Sequence, residues 1–344
     1  MTTQQKPRRQ SRMESVRQRH KITNAILHVF LLCGTVLMIA PFAWMVSTSL
    51  KTEGNVFTPT PEWLPRQTYY FHVPEGGGER VAIGQPIVDN EGGRSHIRLP
   101  DADEPVWVPA GSIVRETRVA PAWENYREVV ATVPFFQGVR NTLIITLTGL
   151  IVGLFTTSLA AYAFAKLRFP GREAMFYALL GTMMIPGVVT MLPTFILFRQ
   201  AGWINTFLPL IVPALFGGAW GIFLMRQHMR SIPDELEDAA RIDGCNPFQT
   251  YARIVMPLSK PTLATLGIFG FMGGWNDFMG PLIYLNDPSK FTLQLLLASF
   301  SSYYSTQINL LMASSVMSLI PVLILFFAAQ RYFIQGITLT GIKG

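Results

Sequence analysis

Charge is what this sequence has least of. Only 14% of its 344 residues are Asp, Glu, Lys or Arg, against roughly 25% in a soluble globular chain. Hydrophobic residues make up 49%, so long segments must face something other than water. Cysteine is nearly missing too. Cys33 sits in an apolar run and Cys245 in a distant polar loop. That pair supplies neither a disulfide framework nor a metal spacing, and both read as structural. The five histidines are scattered. No metalloprotease motif and no Gly-x-Ser-x-Gly elbow occur. No glycine-rich loop closes on Gly-Lys-Ser/Thr, so the chain does not itself bind and hydrolyse ATP by that route. Gly76-Gly77-Gly78 is followed by no such residues and reads as a turn. Catalytic residues, metal ligands and cofactor motifs are therefore not expected, and the chain does not read as an enzyme.

What charge exists is unevenly placed. The formal net charge is +7, which in a soluble chain raises nucleic acid as a partner. Here the first 21 residues hold seven Lys or Arg and one acid, Glu14. A basic tail beside an apolar run fits an anionic membrane surface instead, and no nucleic acid is expected. The run from Ala25 to Val46 is too long for the core of a cleaved signal and long enough to cross the bilayer, which takes about 20 residues. Five further runs follow: Asn141–Phe164, Ala174–Phe198, Asn205–Met225, Thr262–Leu285 and Leu310–Gln330. The expected class is an all-α polytopic membrane protein with six transmembrane helices, since lipid offers no partner to an open backbone. Prolines punctuate the runs: Pro41, Pro186, Pro193, Pro209, Pro213, Pro281 and Pro321. Each reads equally as a static packing kink or as a hinge.

Basic residues in short loops set the orientation. Lys166, Arg168 and Arg172 follow the second run, and Arg226, Arg230, Arg241, Arg253 and Lys260 follow the fourth. These loops and both termini are expected on the cytoplasmic side. The expected organisation is a basic tail (1–23), a first span (24–47), an extracytoplasmic loop (48–138), a five-helix core (139–333) and a C-terminal tail (334–344). Within the long loop, short alternating stretches such as His96-Ile-Arg-Leu and Val106-Trp-Val predict a small β-rich insertion over about 66–120. It reads as an ordered spacer or as a surface for a partner protein.

The loop 229–258 carries the most information. Ser231 is placed to cap a helix, with Pro233 in its first turn and Asp234 three residues on. Acids Asp234, Glu235, Glu237 and Asp238 crowd the helix start, where its dipole favours them. Glu237 and Arg241 stand at i, i+4. Gly244 supplies the left-handed stop, and Asn246, Pro247 and Gln249 begin a second helix. Ile232, Leu236, Ala239 and Ala240 form one small, shallow face. That face reads as a docking surface or as an amphipathic face resting on the bilayer.

The same loop resembles the Glu-Ala-Ala motif of binding-protein-dependent importer permeases. The family pattern is Glu-Ala-Ala, three residues, Gly, nine residues, Ile-x-Leu-Pro. Here it stands as Asp238-Ala239-Ala240, Gly244 and Ile254-Val255-Met256-Pro257, with Asp for Glu and Met for Leu. The resemblance implies that Glu237, Asp238, Ala239, Ala240, Asp243 and Gly244 couple the membrane helices to an ATPase subunit. The shorter Asp238 implies a rearranged salt bridge there. Gly274-Trp275-Asn276-Asp277-Phe278, Pro281–Leu285 and the end from Ala329 to Gly344 resemble the maltose-type MalG group of sugar permeases.

That likeness implies a bacterial inner-membrane subunit. Its expected partners are a second permease subunit, two ATPase subunits and an extracytoplasmic sugar-binding protein. Gly341 and Lys343 would lie in a tail between the ATPases, and the segment from Asn286 to Gln307, with Phe291, Tyr303 and Tyr304, would reach toward the binding protein. Trp275, Asn276 and Asp277 read either as sugar contacts or as glue between helices. The resemblance covers about 25–50 and 122 onward and leaves 66–120 unexplained. A non-sugar solute stays open at this point. An ion-coupled transporter would show an internal repeat with broken helices, and no convincing repeat is visible.

Overall fold

The computed structural model describes residues 7–56, 62–73, 81–83, 87–92, 94–98, 104–300 and 307–338. The chain divides into two units, Met1–Asn125 with Ile308–Val316, and Tyr126–Gln307 with Met317–Gly344.

In the first unit, the basic tail and the first apolar run form one continuous helix, α1 (Pro7–Ser49). Its apolar side chains, Phe30, Leu37 and Met38 among them, lie exposed. A continuous apolar surface of that kind is stable only against lipid or another protein. Six strands follow among the described residues: β1 (Arg66–His72), β2 (Val81–Ile83), β3 (Val88–Glu91), β4 (Arg94–Ile97), β5 (Val106–Pro109) and β6 (Ile113–Val119). They form two antiparallel three-stranded sheets, ordered β2-β1-β6 and β3-β4-β5. β1 and β6 pair along their whole length, from Arg66 opposite Val119 to His72 opposite Ile113. β4 buries Ser95 and Ile97, while His96 stacks on Trp107 on the other face, with ring centroids 4.8 Å apart. The end of α1 is clamped by buried Asn125. Its Nδ2 donates to the carbonyls of Ser49 and Lys51, both at 2.8 Å, and its Oδ1 accepts from Asn309 at 3.2 Å.

The second unit opens with α2 (Glu124–Thr132), which begins at the boundary, and α3 (Phe135–Lys166). α3 is the 32-residue post on which the rest packs. Next come α4 (Arg172–Thr182), α5 (Gly187–Gln200), α6 (Leu208–Ile211) and α7 (Ala219–Arg230). After these stand α8 (Asp234–Ile242), α9 (Pro247–Thr250), α10 (Met256–Leu258), α11 (Lys260–Trp275), α12 (Met279–Tyr284), α13 (Leu293–Leu297) and α14 (Ile308–Thr338). Among the described residues four helical stretches are long and apolar enough to cross a membrane: Ile22–Ser49, Phe135–Lys166, Leu208–Arg230 and Ile308–Gln330. Two bent helix pairs add to these, α4 with α5 at 96° and Pro247–Leu258 with α11 at 76°.

Three of the expected runs are interrupted, each for a local reason. The third breaks between Thr182 and Gly187, where Pro186 is extended and has no N–H to continue the helix. The fourth passes from α6 through a 3₁₀ turn, Val212–Phe216, before α7 resumes. Gly217 makes that join at φ +72°, and a Cβ there would lie 2.8 Å from the Thr157 hydroxyl. The fifth stops at Trp275. Asp277 then turns its carboxylate onto the Gly280 N–H at 3.1 Å and starts α12. Pro41 and Pro321, by contrast, sit inside unbroken helices.

Candidate functional site: the loop from Arg230 to Lys260

The end of α7 is held before the loop begins. Buried Arg226 donates from Nη2 to both carboxylate oxygens of Glu173 at 2.9 Å and from Nε to the Phe164 carbonyl at 3.1 Å. Its guanidinium lies 3.8 Å from the centre of the Phe176 ring. One side chain thus ties α7 to α4 and to the end of α3. Below it, Met225, Met229, Ile232, Tyr251 and Val255 share a core with Ala161 and Tyr162 of α3.

α8 starts at Asp234, with extended Pro233 as its cap residue and no side-chain cap. The expected Ser231 cap does not form, because Ser231 Oγ donates back to the His228 carbonyl at 2.7 Å. The first turn is held by a cation instead. Lys166, the last residue of α3, buries its side chain to 4% exposure, and its Nζ lies 3.1 Å from Glu237 Oε1, itself 5% exposed. The same ammonium donates to Asp234 Oδ1 at 2.6 Å and to the Ile232 carbonyl at 2.7 Å. Lys166 holds the Asp234 carboxyl below its ordinary pKa of 3.8. The expected Glu237–Arg241 pair is therefore replaced: Glu237 faces inward, and Arg241 pairs with Asp238 at 3.3 Å.

The shallow face also divides. Ile232 and Ala240 are buried, whereas Leu236, Ala239 and Ile242 are exposed, Ile242 to 87%. Asp238 on the same helix and Asp243 just after its end are exposed too. One face of α8 is thus buried and held by Lys166 at the end of α3, and the other presents two large apolar side chains and a small one at three-residue intervals.

Gly244 has φ +81°. Its N–H donates to the Arg241 carbonyl at 3.0 Å and the Cys245 N–H to the Ala240 carbonyl at 2.9 Å, the two hydrogen bonds of a Schellman stop that favours glycine. Asn246 and Gln249 then form a reciprocal capping box, both bonds at 2.8 Å. The Tyr251 hydroxyl meets Ser158 of α3 at 2.8 Å. Both arms of the loop are therefore fastened to α3. Lys166 and Arg226 do the fastening on one arm. Sequence reasoning used them only as loop charge, although a lysine closing a long apolar helix was the available signal.

The second group of candidates disperses. Trp275 is 1% exposed, stacks on Phe271 and donates its indole N–H to the Ser318 carbonyl at 3.2 Å. Asn276 Nδ2 donates to Met272 in its own helix at 2.8 Å. Of the three, Asp277 alone lines the cavity of about 510 Å³ bounded by α3, the α6–α7 join and α11. The segment 286–300 is held through Asn205, whose Oδ1 accepts from the Asn286 and Asp287 N–H groups, and Phe291 offers its carbonyl to Asn141 at 3.0 Å. Tyr303, Tyr304, Gly341 and Lys343 lie outside the described residues.

A bundle of long apolar helices with a braced helix–glycine–helix loop defines a membrane permease type. The family described as binding-protein-dependent transport system inner membrane component matches residues 149–339, and the chain belongs to it. The arabinooligosaccharides transport system permease AraQ of Halalkalibacterium halodurans is 38% identical over 59% of this chain and 73% of its own length. The lactose transport system permease LacG of Rhizobium radiobacter is 36% identical over 57% and 71%. The crystal structure of a bacterial ABC transporter importing the acidic polysaccharide alginate contains a similar chain. It has a TM-score of 0.66 and 23% identity, with 91% of this chain and 97% of that one covered. At that identity the likeness is one of fold.

Proposed function

We propose that this chain is one of two permease subunits of an ATP-driven importer, passing a sugar delivered by an extracytoplasmic binding protein. Two separate ATPase subunits supply the force. The observation that carries the reading is the loop around Gly244, seated on α3 by Lys166 on one face and bare on the other. Such a loop moves as one body with α3 when its outer face is pushed. Asp238, Ala239 and Asp243, with Leu236 and Ile242, form the face that meets the ATPase. Glu237 holds the opposite face to the end of α3 through Lys166, Ala240 is buried on that face, and Gly244 sets the turn. The sugar assignment draws on relatives named for arabinooligosaccharides and lactose.

In this reading six spans cross the inner membrane. The two bent pairs count as single broken spans, both termini and the Gly244 loop are cytoplasmic, and the strands from Arg66 to Val119 are extracytoplasmic. Gly341 and Lys343 reach the ATPases. The test replaces Ala239 with Arg, a change on the exposed face. ATP-dependent sugar uptake should fall at least about tenfold, with the permease still inserted at normal levels. Normal uptake by that variant would defeat the coupling assignment.

A further inference from the structure

A second cavity, of about 580 Å³, lies beside the first turn of α8, walled by the end of α3, the turn that leads to α4, and Arg230 at the end of α7. Its lining carries a surplus of positive charge. The three carboxylates there are already matched: Lys166 takes Asp234 and Glu237, and Arg241 takes Asp238. Three guanidiniums remain. Arg168 and Arg230 are exposed and make no hydrogen bond or ion pair with any described residue. Arg172 donates from Nη1 to the Leu167 carbonyl and brings Nη2 to Glu173 Oε1, both at 3.0 Å. That carboxylate also serves Arg226, so it offsets only one of its two guanidiniums. A neighbouring hollow of about 400 Å³ is lined by Arg168 and Arg172 as well. A cleft lined by one sign of charge draws in counter-ions, and guanidinium forks match the paired oxygens of a phosphate.

We infer that this cavity seats the phosphate headgroup of an anionic phospholipid, an inference that rests on the cytoplasmic placement of the loop proposed above. Its position favours a lipid over free phosphate. α3 is long and apolar enough to cross the membrane and ends at Lys166, while α4, half of a bent pair, starts at Arg172. The cavity between those two ends therefore lies at headgroup depth. Met175 and Tyr177, in the first two turns of α4, are exposed and give acyl chains a wall beside the cations. A zwitterionic headgroup would bring its own ammonium toward the same arginines, and repulsion of that kind is how a site rejects a near match. A phosphate held there braces the turn that follows Lys166, and through Lys166 the seat of α8.

The test uses the assembled transporter, stripped of lipid in detergent, with bound lipid counted by native mass spectrometry. The probes are phosphatidylglycerol and phosphatidylcholine. Phosphatidylglycerol should bind at least about tenfold more tightly, and the double variant Arg168→Gln, Arg230→Gln should lose that preference, at about fivefold per arginine. The charge-keeping pair Arg168→Lys, Arg230→Lys should restore part of it. In nanodiscs, adding phosphatidylglycerol to phosphatidylcholine should slow hydrogen exchange over 167–173 in the parent and not in the double variant. Equal binding of the two lipids overturns the inference, as does a preference that the double variant leaves unmoved. Inorganic phosphate that protects 167–173 in phosphatidylcholine nanodiscs as well as phosphatidylglycerol does overturns the lipid assignment. A double variant that sheds the ATPase subunits while keeping its lipid preference overturns it too, and gives the arginines to the ATPase. The permease reading is judged separately, by whether ATP-driven uptake depends on Ala239.

Discussion

Lys166 is the residue on which the loop depends most. Its ammonium is buried with Glu237, and removing one member of such a pair leaves the other charge without compensation, at about 3 kcal/mol or more. Lys166→Met should therefore lower the unfolding temperature and raise hydrogen exchange across α8. The double change with Glu237→Gln should recover much of the loss. The pH dependence follows from the same contact. Asp234 has a lower carboxyl pKa folded than its ordinary 3.8. A group of that kind adds stability above its unfolded value and loses it as pH falls through the folded one. The seat of α8 is thus complete near neutrality and loosens below pH 3.8. Hydrogen exchange of α8 measured on either side of that pH checks it, and Asp234→Asn should flatten the change. Gly244 acts by conformation alone. Gly244→Val places a branched residue at φ +81°, a strain of about 1–2 kcal/mol, while Gly244→Asn should be milder because asparagine tolerates that region.

At the scale of the element, the join between α6 and α7 is held by contact as well as by φ. Gly217→Ala would add a methyl 2.8 Å from the Thr157 hydroxyl at φ +72°. It should destabilise the bundle by about 2 kcal/mol, read as a lower unfolding temperature in detergent. Companion Gly218→Ala, with open space around it and ordinary φ, should be nearly neutral. This contrast also shows what was legible in the sequence. Fixed chemistry read well: the Gly244 stop and the Asn246–Gln249 box depend on neighbours a few residues away. The Ser231 cap failed to a local competitor, the His228 carbonyl three residues back, and the expected Glu237–Arg241 pair failed to a distant one, Lys166, seventy-one residues before Glu237 in the chain and 3.1 Å from it in space. Hydropathy marked apolar runs but not their breaks. It counts side chains, whereas the break after Trp275 is made by one carboxylate turning onto one N–H. Trp275 read either as a sugar contact or as glue between helices for a related reason: nothing local tells whether an indole N–H will meet a solute or the Ser318 carbonyl.

For the whole molecule, the strands from Arg66 to Val119 raise the question of what the helical body needs. The family match begins at residue 149, so the strands lie outside it. Their entry and exit are the paired residues Arg66 and Val119, and paired antiparallel Cα atoms lie about 5 Å apart. A two-glycine link from Arg66 to Val119 therefore closes the chain without pulling on either side. Asn125, which fixes Ser49, Lys51 and Asn309, stays outside the excised stretch. Both sheets leave together, so no strand edge is stranded. The excised protein should insert and unfold within a few degrees of the parent, since none of the Lys166, Arg226 or Tyr251 bonds is touched. Measuring uptake on that protein then separates the two meanings of the insertion. A spacer leaves ATP-driven uptake unchanged, whereas a partner surface gives a stable, inserted permease whose uptake falls while its unstimulated ATPase activity persists. Exposed Trp107, stacked on His96, favours the second outcome, because an aromatic pair held flat on a sheet surface is a contact-forming feature.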